Sequence, residues 1–301
     1  MLRPESLKQG DTVAIVSSAR KISPEEIQQA VNTLTEWGLN TVVGKNLFKK
    51  QNQFAGNDAE RLSDFQNALD GKNIKAILFA RGGYGTVRII DTVDWSNFKK
   101  NPTWLIGFSD ITVIHSHVQK NCGVETLHAP MAFNFKNTSA ESLDTLKKIL
   151  IGEHVSCHIP ENIFSDFNRH GKAKGILTGG NLSLLYSLNE TPSAIDYSGK
   201  ILFIEDIDEY LYHIDRMMLT LKRAGKLKSL AGLIVGGMTD MKDNTVPFGK
   251  SAEEIIRESV SEYSFPVCYG FRAGHIRDNR PLIFGREVEL KVSEEISLSF
   301  S

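Results

Sequence analysis

Three cysteines in 301 residues, Cys122, Cys157 and Cys268, are an odd number, far apart and without CxxC spacing. They indicate neither a disulfide framework nor a cysteine zinc site, and read as reduced packing residues. A basic surplus is also missing: 35 Lys and Arg stand against 36 Asp and Glu, a formal net charge of -1. Nucleic acid and anionic membrane are therefore not expected partners, and the substrate is expected to be small. No apolar run approaches membrane-spanning length. The opening "MLRPESLKQGDTVAIV" has Pro4, Glu5 and Asp11 where a secretion signal needs an apolar core, which predicts a cytoplasmic protein. Internal repeats and low-complexity tracts are absent.

With 41% hydrophobic residues over this length, the chain supports a large core and more naturally two domains than one. Its first half alternates buried-strand runs ("TVAIVSSA", "NTVVG", "KAILFA", "TWLIGF") with amphipathic stretches, the rhythm of an α/β unit with parallel strands under helices. Ser23 and Pro24 open the helix "EEIQQAVNTLTEWG", "DAERLSDFQNALDG" is a second, "RGGYGTVRII" reads as a glycine turn into a helix, and "DITVIHSHVQKNCG" reads as helix. After about residue 155 the segment "SCHIPENIFSDFNRHGKAKG" loses helical periodicity and reads as the crossing between domains. This predicts domains 1–160 and 173–301 joined by a linker 161–172. The second half mixes "GNLSLLYSLN" and "LYHIDRMMLTLKRAG" as helices with "KILFIED" and "LAGLIVGG" as strands. It closes on a hairpin, "REVELKVSEEISLSF", with one buried face, so a mixed, strand-rich α+β or barrel-like domain is expected.

"WLIGFSDIT" sets Ser109 at a strand-to-helix turn. A serine nucleophile needs a base, a group orienting that base, and donors for the oxyanion. The Asp110 amide and the first helical turn offer partial positive charge, and the amides of "RGGYG", Arg81 to Gly85, lie at a neighbouring strand end. Capping by Ser109 or Asp110 explains the same residues, as a ligand-free tight turn explains the glycines. For the base, His115 and His117 lie down the helix and are expected on its surface, and His128 sits where it would line the crevice. His154, Cys157 and His158 lack further ligands at metal spacing, so no metal is expected. His275, in the glycine-flanked "GFRAGHIRDNRPLIFG", is the leading candidate. Glu205, directly after the apolar run of "ILFIEDIDEY", is placed to orient an imidazole, unless this is a solvated acidic loop or a cap.

"GFSDIT", "RGGYG", "GGNLSLL", "LFIEDIDEYLYHIDRMML" and Gly274-His275 occur in the order seen in the LD-carboxypeptidases, serine peptidases of the muropeptide and microcin-immunity type, and the chain resembles them over almost its whole length. The resemblance implies a Ser109, Glu205, His275 triad, with the serine in an N-terminal Rossmann-like domain and the other two in the C-terminal domain. It also implies release of a terminal D-alanine from murein tetrapeptides in cell-wall recycling, by a cytoplasmic homodimer using no metal and no cofactor. The amides of Asp110 and of Gly82 or Gly83 then hold the oxyanion, and Arg81, Tyr84 and Asn181 are candidates for substrate contact, with Arg272 or Arg277 as other partners for a carboxylate. Because the triad draws on both domains, closure about residues 160 to 172 is a possible gate.

The order Ser, Glu, His also fits an α/β-hydrolase, but Gly107-Phe108-Ser109-Asp110-Ile111 is not the GxSxG elbow. An immunity-type peptidase acting on a peptide-nucleotide antibiotic is the alternative within the family, and "GGMTDMKDNTVPFG" offers no tryptophan for base stacking. A non-enzymatic muropeptide sensor is disfavoured by the presence of all three triad residues.

Overall fold

The apolar runs of the first half become strands because they are short and bounded by turn residues; Trp104–Gly107 is wholly buried and Thr12–Val16 and Ile74–Phe79 largely so, whereas Asn40–Val43 is an exposed edge strand. A computed structural model describes residues 1–160 and 163–301. In chain order the elements are β1 (Thr12–Val16), α1 (Pro24–Glu36), β2 (Asn40–Val43), α2 (Asp58–Asp70), β3 (Ile74–Phe79), α3 (Ser96–Lys100), β4 (Trp104–Gly107), α4 (Thr112–Asn121), β5 (Thr126–His128), α5 (Ala140–Leu150) and β6 (Ser156–Ile159). The second half continues with β7 (Gly171–Asn181), α6 (Leu182–Ser187), β8 (Ile201–Ile207), α7 (Leu211–Arg223), β9 (Gly232–Thr239), α8 (Ala252–Ser259), β10 (Val267–Cys268), β11 (Leu282–Phe284), β12 (Glu287–Val292) and β13 (Ile296–Phe300). Local chemistry sets the helix starts. Glu26 turns back to accept from the Ser23 amide at 2.8 Å ahead of Pro24, and Asn57 and Glu60 exchange two such bonds at 2.9 Å ahead of α2. The stretch after the glycine turn forms two short 3₁₀ turns, Thr86–Arg88 and Ile90–Thr92, instead of the expected helix. Five β-branched residues there, Thr86, Val87, Ile89, Ile90 and Thr92, disfavour α-helix.

The first sheet runs β2, β1, β3, β4, β5 in parallel, with β11 added antiparallel beyond β5. The second is mixed: β10, β9, β8 and β7 run parallel, then β12, β13 and β6 pair antiparallel. The final hairpin buries alternate residues, as its pattern predicts. The sheets exchange strands: β6, upstream of the expected linker, edges the second sheet, and β11 returns to the first. Within the expected linker 161–172, residues 161 and 162 lie outside the described residues, and Gly171 and Lys172 already belong to β7. One continuous apolar core unites Ile15, Leu127, Phe203, Phe284 and Leu298, so side chains of both sheets pack in a single interior. Relative rotation of the sheets would break that packing, which opposes a hinge at residues 160 to 172.

Candidate active site

Strand β4, wholly buried, delivers Phe108 and Ser109 to the carboxyl edge of the first sheet, beside the glycine turn that follows β3. Open α/β sheets form their ligand crevice at this edge. Half-buried Ser109 has φ +62°, in the left-handed region that side chains rarely enter. Neither Ser109 nor Asp110 caps α4. Ser109 Oγ meets no hydrogen-bond partner among the described residues, whereas buried Asp110 accepts the Thr86 amide at 2.9 Å through Oδ2. That bond ties the serine turn to the end of the glycine turn, and burial raises the Asp110 pKa. Gly82 lies against the serine, since a methyl group built on it would fall 3.3 Å from Ser109 Oγ.

Glu205 sits in β8 where the register with β9 shifts between Ile204 and Asp206, an irregularity of the kind that re-aims a side chain. Its carboxylate is fully buried, and Oε2 is 2.6 Å from His275 Nδ1 and accepts the His275 amide at 3.2 Å. Oε1 has no partner among the described residues. The close approach requires glycine at 274, where φ is +105° and an added Cβ would lie 2.7 Å from Glu205 Cβ. Buried Asn279 holds this loop by accepting the Gly274 amide at 2.8 Å, and Thr239 Oγ1 donates to the His275 carbonyl at 2.9 Å. Burial acts to lower the His275 pKa, but the charge and hydrogen bond of Glu205, with Asp206 adding to them, outweigh it and leave the pKa raised. Burial and the neighbouring Glu205 push Asp206 up to about 7 despite donors from Asn181, Ser183 and Ile207.

The two halves of the site meet through Phe108, whose ring centroid is 4.8 Å from that of His275. Both border a cavity of about 630 Å³ that also includes Lys136 and Arg277. Contrary to the expectation from its strand-end position, His128 does not line this crevice but is buried beneath it against Phe108 and Phe203, with burial driving its pKa well below the usual value. The expected surface positions of His115 and His117 are also corrected. His115 is buried between the Gly107 carbonyl and Thr126 Oγ1, at 2.8 and 2.9 Å, with its pKa lowered to about 4 by burial, and buried His117 stacks on Trp95. Cys157 and His158 face opposite sides of β6, and no group of three His, Cys, Asp or Glu side chains able to hold a metal occurs among the described residues.

The substrate-contact candidates occupy different surroundings. Arg81 pairs with Glu26 at 3.4 Å and lies over the Phe133 ring at 4.3 Å. Tyr84 is exposed. Asn181 is buried: Nδ2 donates to Asp206 at 2.7 Å, Oδ1 accepts from Ser183 Oγ and Leu184 N, and its own amide donates to Thr112 Oγ1 at 3.0 Å, joining α4 to β7. Arg272 pairs with Asp278 at 3.3 Å. Sequence reasoning missed Asn279, four residues after His275, and the Asp110 side-chain link. A buried-loop asparagine and a serine-adjacent aspartate carry little signal without the fold.

The chain matches the LD-carboxypeptidase N-terminal domain over residues 13–129 and the LD-carboxypeptidase C-terminal domain over residues 174–290. It is 35% identical to a probable murein peptide carboxypeptidase of Bacillus subtilis, covering 98% of this chain and 93% of that one. It is 26% identical to the murein tetrapeptide carboxypeptidase of Pseudomonas aeruginosa, over 93% and 92%. The crystal structure of muramoyltetrapeptide carboxypeptidase from Oxalobacter formigenes superposes with a TM-score of 0.87 at 28% identity, over 96% and 98%. The microcin C7 self-immunity protein shares the fold, with a TM-score of 0.89 at 21% identity over 100% and 99%.

Proposed function

The chain belongs to the LD-carboxypeptidase family of serine peptidases, and on that premise we propose that it releases the terminal D-alanine of murein tetrapeptides through Ser109, His275 and Glu205. The observation that carries the residue roles is the buried 2.6 Å contact between Glu205 Oε2 and His275 Nδ1. With Nδ1 held there, Nε2 is the ring nitrogen left to take a proton from a serine.

In this reading Ser109 Oγ attacks the scissile carbonyl while His275 Nε2 takes its proton. The resulting oxyanion is held by the amide of Asp110 and that of Gly82 or Gly83. Collapse expels D-alanine, whose nitrogen receives the proton from His275. Water then attacks the acyl-enzyme with His275 again as base, returning Ser109 and releasing the tripeptide. The Glu205 carboxylate orients His275 and balances the imidazolium. The chemistry is assigned to these side chains without metal or cofactor. Residues 1–160 carry the serine and residues 173–301 the Glu and His, in a cytoplasmic homodimer that takes soluble muropeptides. No helix among the described residues is long and apolar enough to cross a membrane, which is compatible with that assignment.

The test is D-alanine release from L-Ala-D-Glu-meso-diaminopimelate-D-Ala by the wild type and by Ser109→Ala, with a chelator present. Release by the wild type alone supports the proposal. Release by both removes Ser109 from the chemistry. Release by neither moves peptide-nucleotide substrates of the immunity type to the front.

A further inference from the structure

The glycine turn after β3 has Ser109 against one residue and Arg20 against the next. A methyl group built on Gly82 would fall 3.3 Å from Ser109 Oγ, and one on Gly83 would fall 2.5 Å from Arg20 Cδ and 2.7 Å from Arg20 Nε. Adjacent Cα atoms are about 3.8 Å apart, so hydroxyl and guanidinium stem flank the same short piece of backbone. The Arg20 backbone is fixed: its amide donates to the Gly82 carbonyl at 3.4 Å and its carbonyl accepts Ser17 Oγ at 2.9 Å. On either side, Ala55 N–H donates to Ala19 O at 3.1 Å and Lys21 N–H to Gln53 O at 2.9 Å.

The charged head is in a different position. Among the described residues Arg20 makes no ion pair, whereas neighbouring Arg81 is already engaged by Glu26 and Phe133. Arg20, Lys21, Arg81, Asn52 and Gln53 line a hollow of about 360 Å³ with no acidic residue in its wall.

We propose that Arg20 is the specificity-determining residue that reads the terminal carboxylate of the substrate, an assignment that rests on the carboxypeptidase reading above. In a peptide the terminal carboxylate carbon lies three bonds beyond the scissile carbonyl carbon, roughly 3.5 Å away by standard bond lengths. With that carbonyl over Ser109, the carboxylate falls one residue's width further along the glycine turn, on the Arg20 side. A guanidinium with free donors takes a carboxylate through two parallel hydrogen bonds, which a carboxamide cannot reproduce because it has one oxygen and no charge. A longer peptide would place a neutral amide there and leave the cation unpaired, so the same contact excludes endopeptidase cleavage.

Binding to Ser109→Ala separates recognition from turnover. Calorimetry would compare the tetrapeptide free acid with the same peptide ending in a carboxamide. The parent is expected to bind the acid about ten- to a hundredfold more tightly, the range of charge-assisted hydrogen bonds. Adding Arg20→Ala should bring the two affinities within about twofold, with the unfolding midpoint of the variant as the check on an intact fold. Arg20→Lys should restore part of the preference, and Arg81→Ala should keep it. Equal affinities in the parent, a full preference in the Arg20→Ala variant, or its loss in Arg81→Ala would overturn the inference. D-alanine release by the wild type tests the carboxypeptidase reading separately. Turnover with the preference surviving Arg20→Ala sinks only the Arg20 assignment, and no turnover with the preference lost in Arg20→Ala sinks only that reading.

Discussion

The Phe108 ring lies 4.8 Å, centroid to centroid, from the imidazole of His275, so the residue that precedes the serine in the chain also backs the histidine. Phe108 follows β4 at the carboxyl edge of the first sheet and His275 lies in the loop after β10, and buried His128 packs beneath Phe108 against Phe203 of the second sheet. If Ser109 and His275 are nucleophile and base, as proposed, a gap behind the imidazole should be felt in the chemistry. Phe108→Leu is expected to lower kcat for D-alanine release by about ten- to a hundredfold with little change in KM, the loss typical of a small misplacement of a catalytic group. Unchanged kcat would show that Glu205 alone holds the ring.

Gly274 sets the other side of that alignment. An alanine there would place Cβ 2.7 Å from Glu205 Cβ and 2.8 Å from Glu205 Oε2, at a φ of +105° that alanine resists. Either Glu205 or the His275 loop must move. Gly274→Ala should therefore cost about a hundredfold or more in kcat/KM, with the acidic limb of the pH profile displaced. A variant with wild-type kcat/KM would mean that the loop can yield without disturbing the 2.6 Å contact.

The parallel unit was legible because β1, β3 and β4 are apolar runs bounded by turns, and the last hairpin because Val288, Leu290 and Val292 alternate with charged residues. The strand exchange was not legible. β11 has three residues, too few for any period, and β6 belongs to the second sheet only through pairing with β13, a contact far along the chain. The surface expected for His115 and His117 from their place down the helix does not exist, because residues Thr112 to Gln119 of α4 are all buried, and "TVIHSHV", with no Asp, Glu, Lys or Arg, carries that signal. In the site, Ser109, Glu205 and His275 stood out through their motifs, but the contact of Glu205 with His275 depends on a strand irregularity and a tight loop. Arg20 follows no motif, and only the order β2, β1, β3, β4 brings the end of β1 beside the glycine turn.

The pH dependence follows from His275. Its pKa in the fold is raised above 6.5, so as a base it becomes available only as pH climbs through that raised value. kcat/KM should rise along an acidic limb centred above about 6.5. The Glu205–His275 contribution to stability runs the other way: it is complete below the unfolded histidine pKa and is lost as pH rises through the folded one. Glu205→Gln removes the attraction and leaves burial to depress the pKa, so the limb should move down while kcat/KM falls by orders of magnitude. A limb that stays in place would assign it to another group.

Ser109 supplies a prediction that separates function from stability. Its φ of +62° is unfavourable for any residue with a Cβ, and a non-glycine residue held there costs of order 1 kcal/mol. Ser109→Ala and Ser109→Gly should both abolish D-alanine release, since neither supplies a hydroxyl. They should differ in unfolding. Alanine keeps the strain, whereas glycine relieves it at the expense of a more flexible unfolded chain, and where φ is positive the relief outweighs that entropy. Ser109→Gly is therefore expected to be more stable than Ser109→Ala by about 0.5–1 kcal/mol in denaturant unfolding, provided that domain-scale unfolding is two-state. Equal stabilities would show that the turn relaxes once the side chain is shortened, and that the backbone at Ser109 is not held under strain by the Asp110–Thr86 bond and the buried strand before it.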